Sequence, residues 1–340
     1  MIERCRLNLE GAKVLGKALR SSTSNSAISS LKSLKMVNLV FLDDDDNNDC
    51  ARPILEGIAE ASCLESIDIR KTSAMNSNSN GNSNSNCNRS VFLCHLFSAI
   101  GECVNLKSLR LEDCDIRTED VPELIKAFRS LSHTLELLDL SRNHIDGTGL
   151  NILIRDGLLD DNAGGGHKCL GLLKRLVLSH NPIGDDGAVQ LSKFLSSQSP
   201  SFPSSSTTAA AATAATITTT TNTSRIESLW LVDCNIWSPG CNALAKDLQR
   251  FNTLKELIVD NGEWDNHLTL EAIVESLRMN VILKHLSVIS SSHHHDACRC
   301  RCCVDYDDDD FLHRGIKPSI TSHWIIPRRI MLFCSTCGLP

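Results

Sequence analysis

One apolar template recurs along this chain and leaves few architectures open to it. LKSLRLEDCDI at 106–116 returns as LELLDLSRNHI (135–145), LKRLVLSHNPI (173–183) and IESLWLVDCNI (226–236). All four read L-x-x-L-x-L-x-x-N/C-x-I, with Ile for the first Leu in the last copy, and each is followed by a helix-like stretch. A unit of one strand and one helix cannot bury its own apolar face, so copies must stack side by side into a solenoid.

Looser copies extend the series to LKSLKMVNL (31–39), LESIDIRKT (64–72), LKELIVDNG (254–262) and LKHLSVI (283–289). The second leucine slot then marks eight strands, at Leu34, Ile67, Leu109, Leu138, Leu176, Leu229, Leu257 and Leu286. The tightest intervals are 29 (109 to 138), 28 (229 to 257) and 29 (257 to 286), long enough for a full α-helix to close each turn. Segments 184–195 and 238–251 carry apolar residues at the helical period, and Ser238 before Pro239 reads as an N-cap followed by a first-turn proline. The Asn or Cys slot, filled by Asn143, Asn181, Cys114 and Cys234, places an inward amide or thiol where the chain leaves the strand and turns.

These motifs resemble leucine-rich repeat proteins of the ribonuclease-inhibitor-like class, which includes the repeat regions of NOD-like receptors and of the Ran GTPase-activating protein. The resemblance covers roughly 1–289. It implies an α/β fold, a leucine-rich repeat solenoid shaped as a curved horseshoe, with a parallel β-sheet on the concave face and α-helices on the convex face. It does not choose among inhibitors, sensors and GTPase regulators, since such folds host many functions.

The domain expected is thus 1–289, about eight repeats, followed by a Cys/His/Asp-rich irregular tail at 290–340 that reads equally as sequence outside the native coding region. Cys5 and Leu7 align with the Cys and Ile slots, leaving only Ile2 of a preceding strand, so the chain reads as starting in mid-repeat. Low-complexity insertions near 74–90, 160–168 and 199–224 are expected as disordered loops, because Ser, Asn, Thr and Ala tracts bury too little apolar surface to offset ordering. All three are expected after a helix and before the next strand, at one rim.

A net charge of -7 argues against a nucleic-acid surface, which needs a basic stripe. The first twenty residues hold no uncharged apolar run and no stretch of about 18 apolar residues occurs, so neither a secretory leader nor a membrane span is expected. The sixteen cysteines then read as reduced thiols in a cytoplasmic protein, with the nucleus as the alternative compartment. A monomer without cofactors is expected.

Between the leucines, side chains should point into the hollow. One row holds Lys35, Asp68, Arg110, Asp139, Val177, Trp230, Ile258 and Ser287; its neighbour holds Val37, Arg70, Glu112, Ser141, Ser179, Val232, Asp260 and Ile289. Both charges surround an apolar centre with a tryptophan, a composition typical of interface hot spots. The candidate partner-binding set is therefore Arg110, Glu112, Asp139, Ser141, Val177, Trp230, Val232, Ile258 and Asp260. In the tail, Cys300 and Cys303 with Cys334 and Cys337 form two C-x-x-C pairs, which suit a four-thiolate zinc site. The stretch between them is longer than the usual roughly 15–20 residues, so no metal is assigned. The aspartate runs 43–46 and 307–310 lack the alternating oxygens and closing Glu of a calcium loop, and Gly164–Lys168 lacks phosphate-loop spacing. No catalytic motif is recognised. A non-enzymatic protein-binding module is expected, the alternatives being a regulator of a small GTPase or the sensor part of a NOD-like receptor.

Overall fold

The computed structural model describes residues 1–21, 31–41, 50–71, 85–131, 134–159, 170–197, 226–260, 267–289 and 330–331. Strands and helices alternate: β1 (Ile2–Glu3), β2 (Arg6–Leu7), α1 (Leu9–Ser21), β3 (Ser33–Val37), β4 (Val40–Phe41), α2 (Arg52–Glu60), β5 (Ser66–Arg70), α3 (Ser85–Gly101), β6 (Ser108–Glu112) and α4 (Val121–Ser130). Then come β7 (Leu137–Asp139), α5 (Gly147–Ile152) running into one π-helical stretch (Leu153–Leu158), β8 (Arg175–Val177), α6 (Gly184–Ser197), β9 (Ser228–Leu231), α7 (Ser238–Asp247), β10 (Glu256–Asp260), α8 (His267–Met279), β11 (His285–Ile289) and β12 (Ile330–Met331). The strands form one open sheet in the order β1-β3-β5-β6-β7-β8-β9-β10-β11-β12, while β2 pairs with β4 apart from it. Every pairing is parallel, as right-handed strand–helix–strand connections require. The fold is the expected α/β leucine-rich solenoid.

Register follows the template. Leu34, Ile67, Leu109, Leu138, Leu176, Leu229, Leu257 and Leu286 stand side by side across eight strands. With the next leucine slot (Leu111, Leu140, Leu178, Leu231 and Val259) they lie on the helix-covered face and are almost wholly buried. Each helix packs on its neighbours, α1 on α2 closest of all. A Cβ on Gly16 would sit 2.0 Å from the Pro53 carbonyl oxygen, so these two helices meet backbone to backbone.

The turn slot does the work expected of it. Asn143 Oδ1 accepts from the backbone N–H of Cys114 (3.1 Å) and Ile116 (3.0 Å), and its Nδ2 donates to the carbonyls of Leu111 (2.7 Å) and Leu140 (2.9 Å). It therefore closes its own turn and that of the repeat before it. Asn181 repeats the arrangement toward Ile145 and Leu140. At Cys114 and Cys234 the thiols donate to Ile69 and Leu178, at 3.5 and 3.4 Å. Directly before the slot the chain takes a left-handed residue at Asp113, Arg142, His180 and Asp233, and a second one follows each cysteine, at Asp115 and Asn235.

Three findings differ from the sequence reading. The tract at 74–88 falls in the chain between β5 and α3, after a strand and not after a helix, whereas 160–168 and 199–224 follow a helix and precede a strand. The reason is that Phe92, Leu93, Leu96, Phe97 and Ile100 bury at helical spacing, and their helix begins at Ser85, inside the polar tract. Helix α7 starts at Ser238 itself, with Trp237 in the cap position. Its cap comes from the preceding repeat, where Asp185 Oδ1 accepts from the N–H groups of Trp237 (2.7 Å) and Gly240 (3.0 Å). Within the 290–340 segment, Ile330 and Met331 extend the sheet beside Leu286 and Ser287.

A further row of alternating charge crosses the repeats. The residue after the first leucine slot runs Lys32, Glu65, Lys107, Glu136, Lys174, Glu227, Lys255, Lys284 across successive repeats. The backbone N–H of each donates to the carbonyl of the one before it, at 2.7–2.9 Å. Lys32 and Lys107 both hold Glu65 at 2.8 Å, Lys174 holds Glu136 at 2.9 Å and Lys255 holds Glu227 at 2.7 Å. Side-chain hydrogen bonds from Lys107 and Lys32, together with their charges, pull the Glu65 carboxyl down to about 2.

Candidate functional site

Among the described residues, the sheet keeps one open face opposite the helices. Lys35, Asp68, Arg110, Asp139, Val177, Trp230, Ile258 and Ser287 form a row in strict register across it. The second row continues beyond the short strands, since the N–H groups of Asp113, Arg142 and His180 donate to the carbonyls of Ser141, Ser179 and Val232. All nine candidate partner residues therefore belong to one face, although the Asp260 side chain lies outside the described residues.

The face divides into two chemistries. On β5 to β7 the charges close on one another. Arg70 forks onto Asp68 (2.6 and 3.0 Å) and reaches Glu112 at 3.1 Å, and Arg142 joins Glu112 at 3.3 Å. The hydrogen bond to Asp68 raises the Arg70 pKa against its burial, helped by the charges of Asp68, Glu112 and Asp139. Asp139 Oδ1 accepts from both the N–H (3.0 Å) and the hydroxyl (2.6 Å) of Ser141. Arg110 is half-buried between them and has no hydrogen bond or ion pair among the described residues.

On β8 to β10 the face turns apolar around Trp230, which is half-buried and fixed in place. Its Nε1 donates to Ser228 Oγ and to Glu256 Oε2, both at 3.2 Å, and the Ser228 hydroxyl donates to the same carboxylate oxygen. Arg175 lies over the ring, 6.0 Å from its centroid, at the outer reach of a cation–π contact, and 3.9 Å from Glu256. Burial pushes the Glu256 carboxyl up, yet the bonds from Ser228 and Trp230 and the charges of Arg175 and His285 hold it below its usual range. Val232 and Ile258 are partly exposed beside the indole, whereas Val177 and Ser141 are 6% and 7% exposed and offer a partner little surface. Sequence reasoning found Trp230 but not the Arg175–Ser228–Glu256 clamp. These residues occupy a third row, one step before the first, which the register brings together. It also missed Trp237, 59% exposed at the start of α7, which stands outside the leucine template.

The cysteine pairs Cys300/Cys303 and Cys334/Cys337 lie outside the described residues, as do both aspartate runs and 164–168. Among the described residues no group of three or more His, Cys, Asp or Glu is placed to hold a metal ion, and no helix is long and apolar enough to cross a membrane.

A leucine-rich repeat family model matches residues 131–151 and 172–192, the two repeats with asparagine in the turn slot. Mouse (Mus musculus) ribonuclease inhibitor is 24% identical over 276 residues, covering 75% of this chain and 50% of that protein. Human (Homo sapiens) NACHT, LRR and PYD domains-containing protein 5 is 27% identical over 223 residues, covering 58% of this chain and 16% of that protein. The chain thus spans half or less of the length of these relatives. With the parallel ladder, the asparagine and cysteine turns and these matches together, the chain has the leucine-rich repeat fold and is similar to ribonuclease inhibitor.

Proposed function

We propose that this chain is a non-enzymatic interaction module, a monomer in the cytoplasm, that receives a protein partner on the open face of its sheet. The observation that carries the reading is the fixed indole of Trp230 beside the exposed flanks of Val232 and Ile258, on a face that no helix covers among the described residues. A tryptophan held by its own protein loses little freedom on binding, and preorganised aromatic anchors dominate interface energetics. The clamp itself argues for recognition over catalysis. The Ser228 hydroxyl is 6% exposed and, with Glu256, is occupied in holding the indole.

The test compares partner capture from native lysate by the wild type and by a Trp230→Ala, Asp139→Arg double variant that keeps the wild-type melting profile. Losing such an anchor typically costs on the order of 2 kcal/mol, about thirtyfold in affinity. The same partner held equally by both proteins would sink the proposal. The human relative's name favours a second reading, in which the chain is the repeat portion of a larger NACHT-containing sensor. A transcript joining it to such a domain would establish that.

A further inference from the structure

The ion pairs of the open face show what is missing from it. Asp68, Arg70, Glu112, Asp139 and Arg142 each have a partner on the face itself. Arg110 stands in register between Asp68 and Asp139, and both carboxylates are turned to other donors. Its guanidinium, with five N–H donors, has no acceptor among the described residues. Arg175, at the near edge of the apolar patch, approaches Glu256 no closer than 3.9 Å. Cations thus flank an apolar patch whose own anion, Glu256, is already taken by Ser228 and Trp230.

The geometry points to an acidic protein segment as the ligand of this face, with a carboxylate on Arg110 and an apolar side chain on the Trp230–Ile258 flank. The inference rests on the open face being the docking surface and adds the chemistry of its partner. Arg110 is on β6 and Trp230 on β9, three strand steps apart, which at ~4.8 Å per step is roughly 14 Å. An extended peptide crossing the strands covers that in about four residues at ~3.4 Å each. One guanidinium flanked by Asp68 and Asp139 suits a single bidentate carboxylate, whereas a phosphate chain would meet those two carboxylates as well.

The probe is a set of fluorescent nine-residue peptides on a Ser/Pro background, each carrying one Leu and one Glu two, four or six residues apart. Polarisation with the full chain should favour the four-residue spacing. Arg110→Glu should weaken that peptide at least tenfold and shift preference to its Glu-to-Lys counterpart, and Trp230→Ala should abolish the dependence on Leu. Binding indifferent to spacing or charge overturns the proposal, and so does no binding by any peptide. Partner capture separates the two levels. If the Trp230→Ala, Asp139→Arg variant loses the partner while Arg110→Glu keeps it, the face stands and the acidic complement falls; if neither loses it, both fall.

Discussion

At the scale of single residues, the turn slot concentrates the most consequence in the fewest atoms. Asn143 is 3% exposed and satisfies two backbone N–H groups of the preceding repeat's turn together with carbonyls from both repeats. Truncation to alanine leaves the N–H groups of Cys114 and Ile116 buried without their acceptor. An unsatisfied buried donor costs ~1–3 kcal/mol and two are left here, so Asn143→Ala should lose at least about 2 kcal/mol in urea unfolding. Asn143→Cys should lose less, because the thiols of Cys114 and Cys234 already serve this slot by donating to the carbonyl of the strand before. A loss below ~1 kcal/mol in the alanine variant would show that the amide is not what joins the turns. The slot was legible in sequence because an amide recurring at one template position has few other uses. The left-handed residue before it was not, because Asp, Arg and His fill it and no glycine marks it.

At the scale of elements, two ladders run across the repeats, and only one could be read beforehand. The leucine ladder announces itself, since three apolar slots fall within six residues of every copy. The Lys–Glu ladder has one member per repeat, 28 to 53 residues from the next, and looks like scattered surface charge until the strands are set in register. The same holds at the candidate site. The rows between the leucines followed from the template, but the pinning of Trp230 needed Ser228, Glu256 and Arg175 from three strands. Alternation makes a directional prediction. Glu65→Lys would put three lysines in succession with Lys32 and Lys107 and should lower the thermal midpoint. Lys284 breaks the alternation beside Lys255, so Lys284→Glu should raise it. Both shifts should shrink between ~0.05 M and ~1 M salt, as the screening length falls to about 3 Å. Equal shifts at both salts would mean packing, not charge, lies behind them.

At the scale of the whole molecule, the solenoid holds itself by nearest neighbours, so position along the stack sets local stability. Interior strands such as β7 have a paired strand on each side, and the helices behind them are packed on both flanks. The outermost described helices show what one-sided support leaves uncovered: Val14 on α1 is 70% exposed, Met279 on α8 66%, and Val281 just after it 86%. Opening free energy should therefore fall from the middle outward. Native-state hydrogen exchange should find the amides of β6 to β10 most protected and those of β1 and α1 least, with α8 and β11 between, because β12 pairs onto the last of these. The asparagine variant sharpens the experiment. A break at Asn143 loosens the contact between the repeats of β6 and β7, so exchange should rise on both sides of that boundary and leave β9 and β10 near their wild-type values. Uniform protection in the wild type, or a rise spread evenly over the whole sheet in the variant, would mean that the repeats unfold as one unit and that the nearest-neighbour account is wrong.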